Sequence, residues 1–136
     1  GGFAEASLLP KLAIKTLDED LYDSIDFGDF LARTIQKKIK PNGTIMFVHC
    51  TSYSDDRQVM QYLGDKMESL GFHSLYGAVE HIDFKEKKAI SVLDGHMGDI
   101  DFIFRFTPLE WLKDIRPKTW SGYFDTITPS CCFGIF

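Results

Sequence analysis

No apolar run in this 136-residue chain approaches the length that a membrane-spanning helix needs, and no basic leader precedes an apolar core at its amino end. Basic residues are outnumbered, 15 Lys and Arg against 20 Asp and Glu, for a net charge of −5. That balance excludes the basic footprint of a nucleic-acid binder and favours solubility. Cysteine is scarce. Cys50, Cys131 and Cys132 are odd in number and two are adjacent, so no disulfide framework is written here, and no CxxC or Cys/His ligand spacing occurs. A reducing compartment, the cytoplasm, is the expected setting. Glycine-rich phosphate loops of the GxGxxG or GxxxxGK type are also missing.

What the chain does have is core. Hydrophobic residues make up 44% and aromatics 14%, with twelve Phe, a globular composition suited to one compact domain. Residues 1–40 read as a helical arm and 41–136 as a sheet-forming body. In the arm, Phe27, Phe30, Leu31, Ile35 and Ile39 recur at helical spacing, Asp26 stands where it can cap, and basic residues close the last turn. Pro41-Asn42-Gly43 marks a turn.

The body opens with TIMFVH at 44–49, a short apolar run that reads as a buried strand of parallel type. A polar loop follows, with Ser54 as the expected N-cap and Asp55 and Asp56 complementing the helix dipole. Val59, Tyr62, Leu63, Met67 and Leu70 form the inner stripe of that helix, and Gly71 ends it. FHSLYGAV at 72–79 then completes a strand–helix–strand unit. AISVL at 89–93, a six-residue link and IDFIFRF at 100–106 read as two further strands. Thr107 and Pro108 open a short helix that stops before Pro117, and an aromatic tail runs from Trp120 to Phe136. Its abrupt apolar close leads us to expect that the natural chain continues.

Candidate chemistry falls in four places. Ser52 and Ser54 lie in a loop between a strand end and a helix start, a favoured ligand position in open α/β sheets. Capping and complementing the helix dipole is the favoured reading of this loop. Asp99 and Asp101 share a face if their segment is one strand, where they either bind a cation or simply meet water. Arg105 sits among phenylalanines, where a guanidinium needs a carboxylate, a phosphate or a stacking partner. Glu110, one turn into the next helix, either pairs with Arg105 internally or joins it in touching a charged ligand. Thr126, Thr128 and Ser130 offer hydroxyls around a rigid Pro129. The four His are scattered, none at metal-ligand spacing, and Cys50 after its apolar strand reads as a packing residue.

The order of these segments resembles a known family. Strand TIMFVH, the Ser/Asp loop, helix DDRQVMQYLGDKMESLGF, DGHMGDID, FIFRFTPLEWL and TITPSCCFGIF look like the pre-ATP-grasp portion of the glutathionylspermidine synthase-like family of ATP-grasp ligases. The resemblance spans roughly residues 43–136. Leu109 stands where that family often has an aromatic, and the Cys131-Cys132 pair is unusual for it. The resemblance implies a three-layer, Rossmann-like α/β domain with a mostly parallel central sheet of four or five strands. It implies a carboxylate–amine ligase that uses ATP and Mg²⁺ through an acyl phosphate. This portion would hold the carboxylic substrate or a thiol peptide, while a separate ATP-grasp lobe carries the nucleotide chemistry and an amine completes the reaction. By the same resemblance Arg105, Glu110, Thr128 and Ser130 are the substrate contacts, with no catalytic group or metal ligand in this chain. The alternative expectation is a non-catalytic ligand-binding or assembly module of the same architecture.

Overall fold

The computed structural model describes Leu9, Leu12 and residues 26–107, 111–112 and 117–132. Helix α1 runs Phe27–Gln36, capped by Asp26, whose carboxylate accepts from the Asp29 N–H at 3.2 Å. Its buried positions are Gly28, Ala32 and Ile35. Phe27 and Phe30 do not face the core as their spacing suggested. They lie outward with their rings stacked at 6.4 Å. The cause is close helix approach: a Cβ at Gly28 would sit 2.7 Å from the Tyr62 ring of the next helix, so small residues must face inward. Lys66 on that helix reaches back to Asp26 and Asp29 and clasps the pair. Burial works against its ammonium, but the two carboxylates outweigh burial and hold it above its ordinary value.

The turn at Asn42, with φ of 58°, leads into β1, Thr44–Val48. Helix α2 spans Ser54–Ser69 and ends at Gly71, whose φ of 88° is the left-handed conformation that glycine takes without strain. Strand β2, His73–Gly77, returns parallel to β1 with Thr44 opposite His73. A 3₁₀ turn at Val79–His81 leads to β3 (Ile82–Lys85), β4 (Lys88–Ser91) and β5 (Gly98–Asp99). Strand β6, Phe102–Arg105, then enters beside β1, again parallel. Helix α3, Pro117–Asp125, is followed by β7, Ser130–Cys132, parallel to β6. The described strands form an all-parallel sheet in the order β2-β1-β6-β7 and an antiparallel β3-β4-β5 meander. The architecture is a Rossmann-like α/β fold.

Strand alternation assigns the two faces of the parallel sheet. Ile45, Phe47, Phe102 and Phe104 meet Met60, Leu63 and Met67 of α2 and the inner face of α1. Met46, Val48 and Ile103 meet Ile82, Ala89 and Ile100, with Phe84 and Tyr123 packed against them. The layer opposite α1 and α2 is therefore a β-meander carrying α3.

That layer holds most departures from the sequence reading. AISVL does not join the main sheet; its first three residues lie in β4, paired antiparallel with an additional strand, β3, and Val92 and Leu93 fall outside it. The tight turn between them places Glu86 and Lys87 at φ of 51° and 63°, with no glycine to announce it. Asp99 and Asp101 do not share a strand face, because the chain leaves β5 before β6 begins. Asp101 instead accepts from the Thr44 N–H at 2.9 Å and pairs with Lys40 at 2.9 Å, tying two strand entries together. The aromatic tail contains α3 and β7. The short helix expected from Thr107 lies largely outside the described residues.

Candidate functional site

The carboxyl ends of β1, β2 and β6 converge on one crevice of about 240 Å³. Its walls come from the loop after β1 (His49, Cys50, Ser52), the 3₁₀ turn after β2 (Val79, Glu80) and the exit of β6 (Thr107, with Trp111 and Leu112 beyond). In open α/β sheets this is where ligands bind, because strand ends splay and loops meet there. The volume is small beside the roughly 300–1,000 Å³ of sites for drug-sized ligands, so it suits a compact molecule or one end of a longer one.

Two buried polar atoms set this crevice apart. His49, 3% exposed, prolongs β1 and donates its backbone N–H to the Gly77 carbonyl at 3.0 Å, yet its Nδ1 has no partner among the described residues. Thr107, 6% exposed, has an equally unpartnered Oγ1. An unmet buried donor or acceptor costs about 1–3 kcal/mol, and such groups are few in folded proteins. Both belong to residues that line this one small recess.

Burial holds the His49 imidazole below its ordinary value; the Phe47 backbone opposes this, Arg57 adds to it and Asp56 opposes it. The unfolded chain therefore binds the proton more readily than the fold does. The stability that His49 contributes is complete above about pH 6.5 and is lost as pH falls through the lower folded value. We expect urea unfolding to show acid-side destabilisation in the parent protein, and a flatter profile over that window in His49→Gln.

Arg105 is 8% exposed on β6, an interior strand between β1 and β7. Its Nη1 donates to the Thr107 carbonyl at 2.5 Å, so the guanidinium braces the turn that presents Thr107. Glu110, its expected partner, lies outside the described residues. Ser52 lines the crevice from an exposed position. Ser54 is not the N-cap: it is the first residue of α2, with its hydroxyl 3.4 Å from Asp55 Oδ1. Tyr53 occupies the cap position because its N–H is tied to the Cys50 carbonyl and its carbonyl already accepts from Arg57. Thr128 stands at the opposite end of the sheet, where its Oγ1 accepts the Ala89 N–H at 2.9 Å and joins the entry of β7 to β4. Ser130 is exposed at the start of β7, opposite Ile103. The structure thus brings Arg105 and Ser52 to the crevice region and leaves Thr128 and Ser130 apart from it. Cys50 is half-buried at the crevice wall, while burial pushes the Cys131 thiol up to about 12, with Cys132 reinforcing the shift and Arg105 opposing it.

His49 and Thr107 were the residues that reading the sequence passed over. The available signal was a polar residue prolonging an apolar strand run, at each of two strand exits. A larger recess, about 680 Å³, lies by the edge strand β2 and includes His73, His96, Met97 and Asp99. Those four side chains are all exposed. The smaller crevice is the candidate because two of its polar groups, on His49 and Thr107, are buried and unmet.

The described lining of the crevice fits neither ATP nor Mg²⁺. Its loop after β1 has no glycine to let backbone approach a phosphate, Glu80 is the single charged side chain lining it among the described residues, and no Lys or Arg there faces a phosphate. Among the described residues no group of three or more His, Cys, Asp or Glu comes together as a metal site, and no helix is long and apolar enough to cross a membrane. No protein-family model matches this sequence, and no curated protein matches it.

Proposed function

We propose that this chain is the substrate-side domain of an ATP-dependent carboxylate–amine ligase of the cytoplasm, and that the crevice at the carboxyl ends of β1, β2 and β6 holds one of the two molecules to be joined. The observation that carries a binding role is the pair of buried, unpartnered atoms, His49 Nδ1 and Thr107 Oγ1, in one strand-end recess. The choice of ligase chemistry is supported by the order of motifs across residues 43–136, above all the arginine strand running into Thr-Pro-Leu-Glu-Trp. The domain's contribution is orientation: a substrate held in fixed geometry meets its activated partner without the entropic cost of a chance encounter. Phosphoryl chemistry, with ATP and Mg²⁺, belongs to a separate lobe, since the described lining of the crevice fits neither.

A thermal-shift series tests this division of labour. Ligand that binds only the folded state raises the unfolding temperature by mass action. ATP–Mg²⁺ alone is expected to leave the unfolding temperature unchanged, while a small carboxylate, thiol peptide or amine raises it, with the response lost in His49→Phe. A strong response to ATP–Mg²⁺ alone, or ligand responses indifferent to His49→Phe, would contradict the proposal.

A further inference from the structure

We propose that the crevice recognises a primary ammonium group, so that the molecule it holds is an amine and not the carboxylate expected from the family resemblance. This rests on reading the crevice as the substrate site and adds the chemical class of its occupant.

Charge carries the first part of the argument. Among the described residues lining the crevice, the charged side chain is a carboxylate, Glu80, exposed at the rim. Arg105, the nearest buried cation along β6, is turned onto the Thr107 carbonyl and is not among the lining residues. In the first turn of α2, Arg57 and Asp56 act on His49 in opposite senses, Arg57 the more strongly, so the negative charge at the crevice is that of Glu80. A carboxylate or phosphate entering here would leave water for a site with no lining cation among the described residues, a costly exchange. An ammonium would gain from the Glu80 carboxylate.

Hydrogen-bond chemistry carries the second part. An ammonium has three donors and no acceptor. The crevice supplies acceptors to match. His49 is held neutral by burial, and in its Nε2–H tautomer the unpartnered Nδ1 offers a lone pair. Thr107 Oγ1 offers another, and the Glu80 carboxylate a third, charge-assisted one. Trp111, 51% exposed at the mouth, adds an aromatic face of the kind that attracts cations. The volume of about 240 Å³ admits such a head group and a short stem.

Titration of the full chain with butylammonium, with butyrate and inorganic phosphate as matched anions, followed by amide NMR, decides the matter. Butylammonium is expected to shift the backbone resonances of residues 49–52 and 78–80 saturably, about tenfold more tightly than butyrate. Glu80→Gln, an exposed change that leaves the core untouched, is expected to weaken the amine by about three- to tenfold, the scale of a partly screened charge contact. Tighter binding of butyrate or phosphate to the same resonances would overturn the ammonium assignment while leaving the crevice as the substrate site. Unchanged amine affinity in Glu80→Gln would overturn it as well. Failure of all three probes to move those resonances would sink both this inference and the function on which it rests.

Discussion

Phe47→Ala is expected to remove about 3–5 kcal/mol of folding stability, the range for deleting a large aromatic from a close-packed core. Phe47 is fully buried in β1, the strand flanked by β2 and β6. Its ring lies 5.5 Å from Tyr76 and 5.6 Å from Phe104, so one aromatic contact spans three adjacent strands. The same face receives Met60, Leu63 and Met67 from α2. Truncation opens a cavity that neither helix nor sheet can close without moving the other. Since domains of this kind have roughly 5–15 kcal/mol in total, the loss is a large share of the whole. Thermal unfolding should fall by on the order of 10–20 °C. Phe30→Ala, on a side chain 61% exposed, is the control and should change far less.

Gly64→Ala should reverse the usual sign of such a change. In an ordinary helix interior the substitution gains about 1 kcal/mol. Here a Cβ at Gly64 would overlap the ring and hydroxyl of Tyr76 on β2, and that ring is already stacked on Phe47. Relief requires the ring to swing out or α2 to lift from the sheet, an over-packing cost of about 1–3 kcal/mol. Tyr76→Ala removes the obstacle, so Gly64→Ala placed on that background should recover the ordinary helical gain. Urea unfolding of the four proteins in this cycle measures the coupling directly. Additive effects would show that α2 and β2 are not in the close contact described.

The main sheet was legible because its strands are short apolar runs bounded by turn chemistry. TIMFVH, FHSLYG and FIFRF are short, mainly apolar runs, as expected of strands covered on both sides. The meander was not legible for the opposite reason. IDFK and KAIS are short and half-exposed, and Glu86 and Lys87 make their turn at positive φ without the glycine or asparagine that normally signals it. The outward placement of Phe27 and Phe30 follows from Gly28 seating against Tyr62, a tertiary fact that hydrophobic spacing does not encode. The location of the candidate site follows from chain order, since ligand crevices form at strand ends. Its key residues do not: what distinguishes His49 and Thr107 is the lack of a hydrogen-bond partner, a property of the folded neighbourhood. Arg105, prominent in the sequence, acts in the structure as the brace behind Thr107.

The central claim is that the crevice keeps buried polar atoms unmet because a ligand meets them. Thr107→Val tests it most directly, since it removes the hydroxyl and preserves the shape. Urea unfolding of this variant, with and without butylammonium, should show stability equal to the parent or higher by up to about 1 kcal/mol, because an unsatisfied buried group has been replaced by an apolar one. The ligand-induced stabilisation should be lost at the same time. A variant destabilised by more than about 1 kcal/mol, with ligand stabilisation intact, would mean that the hydroxyl serves the fold and that the crevice is not the site.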